Sequence, residues 1–278
     1  MLRIALLLVF AVGPVWAQLR IEFPSLDQQD GRPVQLAAYW MAAASDKPRP
    51  TVVMLHGCGG IYDRKGVLSQ RMRDYATLFN ANGWHALMVD SLTPRGELEL
   101  CTQKYSTRAV TQTNRRRDAI GALQWLALQP AVDPRRLVLL GWSNGGSTVL
   151  ASTNMSSPEV EKSPVIPRAA VAFYPGCESE RKRGYKPQTQ LLMLLGGLDD
   201  WTPTAPCQEM VDGLKAVKPE IEVYSGAHHG FDTILPVRVR TDVTNAISGE
   251  QGVHVGGNAE AMKRSRERLI NFLTDQLK

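Results

Sequence analysis

Residues 136–147 read RLVLLGWSNGGS: a short apolar run meets two glycines that flank a serine, and a helix-forming segment follows. Gly141-Trp142-Ser143-Asn144-Gly145 in that setting requires a buried strand to turn directly into a helix. The turn is so tight that side chains at the glycine positions would collide with the neighbouring strand and helix. Such a turn lifts the serine hydroxyl clear of a sheet and sets it at a helix amino terminus. Unsatisfied N–H groups and the helix dipole favour developing negative charge there. The chain is thereby restricted to a layered α/β architecture, and Ser143 becomes a candidate nucleophile.

The rest of the pattern agrees with that restriction. Thr51–Leu55, Trp84–Val89, Arg136–Leu140, Ala169–Tyr174, Leu191–Leu195 and Ile221–Tyr224 are short apolar runs. Amphipathic helical segments alternate with them at 67–82, 108–128, 205–217 and 260–277. Strands that are apolar throughout, separated by helices, imply a mostly parallel sheet covered on both faces. Leu19–Phe23 and Gln35–Met41 read as an edge hairpin, and 236–257 lacks a clear period and reads as loop with short helix. The 278 residues are 44% hydrophobic and 21% charged with no linker-like stretch, so 18–278 is expected to form one domain. Residues 1–17 differ in kind: Arg3, an apolar run at Ile4–Val12, then Val15-Trp16-Ala17 before Gln18. This is the layout of a signal peptide cleaved after Ala17, and the apolar run is too short for a membrane span. A periplasmic or secreted protein is expected, with no membrane association after cleavage.

A serine hydroxyl needs an adjacent base, and on a fold of this kind the partners follow in the order serine, acid, histidine. His228 and His229 follow a late strand. Asp199 and Asp200 lie in a loop between Ser143 and that pair, at the end of the strand Leu191–Leu195. Order alone leaves both choices open. The segments LHGCGG, DSLTPRG, GWSNGG, GGLDDWTP and YSGAHHGF, in this order, resemble the dienelactone hydrolase family of α/β-hydrolases over about 51–231. The resemblance implies the α/β-hydrolase fold and an acid four residues before the loop proline, which is Asp199 before Pro203. It also implies a histidine directly before Gly-Phe, which is His229 before Gly230-Phe231. His228 and Asp200 then become loop neighbours. One departure stands out: the family proper carries cysteine at the elbow, where this chain has Ser143, so the resemblance speaks to fold and triad more than to dienelactone as substrate.

The expected activity is hydrolysis of small carboxylic esters or lactones through an acyl-enzyme; a serine peptidase or a polymer or acetyl esterase is the alternative. Oxyanion donors are expected from the backbone of Asn144 and of Cys58 in the Gly-rich turn, which His56 would brace. Arg95, Trp142 and Trp201 are the candidate substrate contacts. No lid-sized insertion lies between Ala169 and Gln190, so an open site is expected. No cofactor is implied. A metal site built from His56, Cys58, Asp199, His228 and His229 matches no zinc spacing, and a non-catalytic carrier has no need of all three triad residues. The segment after Ala17 carries only +4 (31 basic against 27 acidic residues), and Arg115-Arg116-Arg117 and Arg181–Lys186 lack aromatic interleaving. These runs read as solvated faces, with no nucleic-acid partner. Parallel strands bring their following loops to one end of the sheet, which predicts Cys58–Cys101 and Cys177–Cys207 disulfides in an exported chain. Mass spectrometry of exported protein is expected to find Gln18 at the amino terminus; intact Met1 there would remove the signal-peptide reading.

Overall fold

The computed structural model describes residues 18–215 and 217–278, so the expected signal peptide lies outside the described residues. Ten strands and seven helices follow the chain: β1 (Leu19–Gln29), β2 (Arg32–Met41), β3 (Arg49–Leu55), α1 (Gln70–Ala81), β4 (His85–Asp90), α2 (Gln112–Ala127), β5 (Val132–Trp142), α3 (Asn144–Thr153), α4 (Pro158–Glu161), β6 (Ala169–Phe173), α5 (Glu178–Lys182), β7 (Gln190–Gly196), α6 (Ala205–Asp212), β8 (Glu220–Tyr224), β9 (Arg238–Thr244), β10 (Gln251–Val255) and α7 (Ala259–Gln276). Eight of the strands form one sheet in the order β1-β2-β4-β3-β5-β6-β7-β8. The β1–β2 and β2–β4 pairs are antiparallel, and every later pair is parallel. This is the mostly parallel α/β-hydrolase sheet that the apolar runs and the motif order imply.

Side-chain alternation along the strands divides the core into two layers. Val52, Met54, Val138 and Leu140 face α1 and α7, packing with Met72, Phe79, Leu269 and Leu273. Val53, Leu55, Leu137 and Leu139 face α2 and α3, packing with Ala119, Leu123, Val149 and Leu150. The sheet winds outward in both directions from β3, since β4 lies on one side of it and β5 on the other. Open α/β sheets bind ligands at such a reversal, outside the carboxyl ends of the strands.

Two expectations need correction. The segment 236–257 is not loop and short helix: β9 and β10 pair there as an antiparallel hairpin. Its alternating valines, Val239 and Val243 in β9 and Val253 and Val255 in β10, are few, and only Val243 and Val253 are buried, so they make only a weak strand signal. The run Arg115-Arg116-Arg117 is not a solvated face either. Arg115 and Arg116 are buried, Arg116 pairs with Glu159, and Arg117 reaches Glu159 and Asp27.

Arg95 belongs to the same set of buried charges. It donates to both carboxylate oxygens of Asp118 (2.7 and 2.9 Å), to Asp27 (2.9 Å) and to Ser91 O (2.7 Å). Ser25 Oγ adds a bond to Asp118 at 2.6 Å. The loop after β4 is thus tied to β1 and α2 by ionic hydrogen bonds that are nearly sealed from water. No helix among the described residues is long and apolar enough to cross a membrane. The Cys58–Cys101 and Cys177–Cys207 disulfides span 43 and 30 residues and fit an extracytoplasmic, oxidising compartment. Asp118→Ala leaves Arg95 short of a buried partner and is expected to cost about 3–5 kcal/mol in urea denaturation. A loss under about 1 kcal/mol would put the network on a par with surface ion pairs.

Candidate active site

The site forms where β3 and β5 leave the sheet side by side, with Leu55 paired to Gly141. At the end of β5 the chain turns through Ser143, whose φ of 53° lies in the left-handed region. For a non-glycine residue that conformation costs about 1–3 kcal/mol. It is held by Ser143 N donating to Phe173 O (2.9 Å) and Ser147 N donating to Ser143 O (2.8 Å). The glycines on either side are steric requirements. A Cβ on Gly141 would run into Gly145 O, and one on Gly145 into Leu55 O.

Three elements converge on Ser143 Oγ. His229, after β8, places Nε2 2.9 Å from it, and His229 Nδ1 lies 2.8 Å from Asp199 Oδ2. A carboxylate only accepts, so Nδ1 carries the proton and Nε2 is left to accept from the serine. Asp199, after β7, is fixed by main-chain donation from Trp201 (2.9 Å) and Thr202 (2.8 Å), and by Thr202 Oγ1 at 2.9 Å. The rings of Tyr174 and Trp201 lie 4.7 Å from the His229 ring and leave it 4% exposed. Cys58 and Asn144 line a cavity together with Ser143, and their main-chain amides have no protein acceptor among the described residues. Two cavities of about 240 Å³ share Ser143, Cys58 and Trp201 in their walls; one continues past Arg108 and Gln112, the other past Arg71, Leu235 and Arg240.

The remaining candidates sort by where they sit. Trp201 lies in both cavity walls, with Arg240 of β9 over its ring at 5.2 Å. Arg95 is a correction: its guanidinium is spent on Asp27 and Asp118, lines neither cavity, and braces its own loop. Trp142 is the second correction. It adjoins Ser143 and belongs to the wall of the second cavity, but its ring packs in the core against Tyr75 and Phe173 and the residue is 0% exposed, so the ring gives a substrate no surface. His228 turns away to Leu198 O (3.0 Å) and stacks on His254. Asp200 accepts from His254 N (2.9 Å), His254 Nδ1 (2.8 Å) and Asn245 Nδ2 (3.0 Å), which fastens the β9–β10 hairpin to the acid loop. Burial raises the Asp200 carboxyl, but the bonds from His254 outweigh it and hold the group below its ordinary value. Arg238, Arg240 and Val255 of the hairpin thus line one cavity of the site, while Gly176 and Glu178–Glu180 line the other.

His56 is fully buried. Its Nδ1–H donates to Gly57 O (2.7 Å), and its Nε2 accepts from Ser91 N (3.3 Å), which braces the Gly-rich turn. Burial, reinforced by the nearby Arg115 charge, pulls its pKa down to about 3, so it stays neutral. Sequence reasoning passed over Gln112, Arg115 and Thr202. Only Thr202 had a local signal, as a hydroxyl three residues after the acid. Among the described residues no group of three or more His, Cys, Asp or Glu side chains gathers as a metal site would.

Comparison with known proteins follows the same outline. The model of the dienelactone hydrolase family matches residues 36–277. A non-reducing polyketide synthase of Emericella nidulans is 29% identical over 201 residues, which are 71% of this chain but 7% of the synthase; the chain spans a small part of that relative's length. Among solved structures, a dienelactone hydrolase-like promiscuous phosphotriesterase from metagenomic libraries superimposes with a TM-score of 0.69 at 19% identity, covering 94% of this chain and 100% of its own. Esterase 2 of Thermogutta terrifontis does so with a TM-score of 0.62 at 18% identity, covering 96% and 97%. At those identities the structures speak for the fold alone.

The two adjacent pairs have different partners, so substitutions within them are expected to diverge. His229→Ala and Asp199→Asn should each lower ester turnover by about 10⁴-fold or more. His228→Ala and Asp200→Asn should stay within about tenfold of wild type, with Asp200→Asn exposing the hairpin to proteolysis. A His228 variant slower than its His229 counterpart would reverse the assignment.

Proposed function

The chain belongs to the dienelactone hydrolase family and is a carboxylic ester hydrolase; from that premise we propose that Ser143, His229 and Asp199 cleave small esters or lactones through an acyl-enzyme. The observation that carries this reading is the unbroken run Asp199–His229–Ser143, at 2.8 and 2.9 Å, with the unused main-chain amides of two residues that line a cavity with the serine. Ser143 Oγ attacks the ester carbonyl carbon as its proton passes to His229 Nε2. The carbonyl oxygen becomes an oxyanion and accepts from the N–H groups of Cys58 and Asn144. Collapse expels the alcohol, which takes the proton from His229 and leaves the acyl group on Ser143. Water repeats the attack with His229 again as base, and the acid is released. Asp199 holds the imidazole in the required tautomer and offsets the positive charge it acquires.

The cleft supports small substrates. Its two lobes share Ser143, so each can take one portion, acyl or alcohol, of an ester whose carbonyl lies at that residue. The site needs no cofactor for this chemistry. The two disulfides support action after export, in the periplasm or outside the cell.

A fluorescent fluorophosphonate is expected to label the protein, with the adduct mapping to Ser143. Ser143→Ala should abolish labelling and lower hydrolysis of p-nitrophenyl butyrate by about 10⁴- to 10⁶-fold with an unchanged circular dichroism spectrum. Activity within about tenfold of wild type would falsify the nucleophile assignment.

A further inference from the structure

The first turn of α2 reaches the site from behind. Arg115, 1% exposed, donates one guanidinium nitrogen to Asn144 Oδ1 and the other to His56 O at 2.7 Å, while its Nε has no partner. These two acceptors lie on the two turns that carry the Cys58 and Asn144 amides. Asn144 supplies one amide itself, and His56 precedes Cys58 by two residues in the Gly-rich turn. Gln112, from the same turn of α2, adds a bond from Nε2 to Asn144 O (3.1 Å), and its Oε1 accepts from Thr148 Oγ1 (2.8 Å). The first turn of α2 therefore clamps the elbow and the Gly-rich turn together.

Arg115 makes no direct ion pair among the described residues. Its hydrogen-bond partners there are a carbonyl and an amide oxygen, both neutral. Asp118, one turn further along α2, and Asp90 favour its charge without touching it, and both Asp118 oxygens are occupied by Arg95. A guanidinium buried on neutral acceptors alone is an unusual expense for a fold. Negative charge arising nearby would offset it, and in the reaction negative charge arises on the oxygen between Cys58 N and Asn144 N. Burial lowers the pKa of Arg115 to about 10, which leaves the group charged at neutral pH.

We propose that Arg115 is a positioning residue of the oxyanion hole: it fixes the spacing of the two donor turns, and its buried charge favours the tetrahedral oxyanion over the neutral ester. The inference rests on the acyl-enzyme reading above. An interaction that strengthens only as charge develops acts on kcat and leaves KM nearly alone. The oxyanion, not the folded state, is where its effect is read.

The test compares wild type, Arg115→Met and Arg115→Lys for kcat and KM on p-nitrophenyl butyrate, Tm, and inhibition by an alkyl trifluoromethyl ketone, whose serine adduct bears an oxyanion. Arg115→Met is expected to lose about 10²-fold in kcat with KM within about threefold, and to weaken ketone inhibition by a matching factor. Arg115→Lys keeps a charge but cannot span both turns, so it should recover part of both losses. If Arg115→Met does not fold, Asn144→Ala cuts one arm while keeping the Asn144 N–H, and should lower kcat and ketone affinity together by about tenfold. Unchanged kcat, or lost kcat with undiminished ketone affinity, overturns the proposal. Fluorophosphonate labelling of the wild type separates the two levels. An unlabelled Ser143 overturns the acyl-enzyme reading and this inference with it, whereas a labelled Ser143 beside an unaffected Arg115→Met overturns the inference alone.

Discussion

The site depends on one close approach of main chain to main chain, where β5 leaves the sheet against β3. A side chain at Gly145 would meet Leu55 O, so the elbow helix α3 can start where it does only because nothing projects from that position. That contact sets Ser143 beside the Gly-rich turn, and the Cys58 and Asn144 amides have no protein acceptor among the described residues. The left-handed backbone at Ser143 is the local cost, and the bond from Ser143 N to Phe173 O holds it in place. Sheet register and site geometry are thus one constraint. A slip of one residue between β3 and β5 would part Ser143 from the Gly-rich turn and turn each side chain of the slipped strand into the opposite apolar layer.

Around that contact the polar interior is organised by α2. Its first turn holds the elbow and the Gly-rich turn through Gln112 and Arg115, and Asp118 in its second turn anchors the loop after β4 through Arg95. A helix with arginine at three consecutive positions would be a poor choice for covering a sheet if those charges needed water. Here Arg116 and Arg117 are met by Glu159 and Asp27, and only Arg115 is left on neutral acceptors. The helix buries its polar side where chemistry takes place and its apolar side, with Ala119, Leu123 and Leu126, against β3 and β5.

What the sequence made legible was local or ordered along the chain. The elbow announces itself because its glycines, serine and flanking strand are contiguous. The proximity of Asp199 and His229 to Ser143 was legible because each follows a strand and sits at a fixed distance from Pro203 or Gly230-Phe231. The cysteine pairs followed from parallel strands delivering loops to one end. What stayed hidden depends on partners far away in sequence. Arg95 looked like a substrate contact until Asp27 and Asp118 were found on either side of it. Trp142 neighbours the nucleophile in sequence, but strand alternation turns its ring into the core, against Tyr75. The β9–β10 hairpin buries only Val243 and Val253 and is otherwise exposed or half-exposed, so its short strands carry too few apolar residues to stand out from a loop.

On the proposed mechanism both disulfides lie beside parts that would carry the chemistry. Cys58 sits in the Gly-rich turn and is tied to the loop after β4, and Cys207 sits in α6, directly after the loop that bears Asp199, and is tied to the segment following β6. Cys177 and Cys207 also pack within the apolar layer under α2 and α3, so that bridge belongs to the core as well as to the surface of the site. On that mechanism, reduction of the two bridges would free the turn that bears Cys58 and the helix that follows Asp199, and an oxidising compartment would favour the active arrangement.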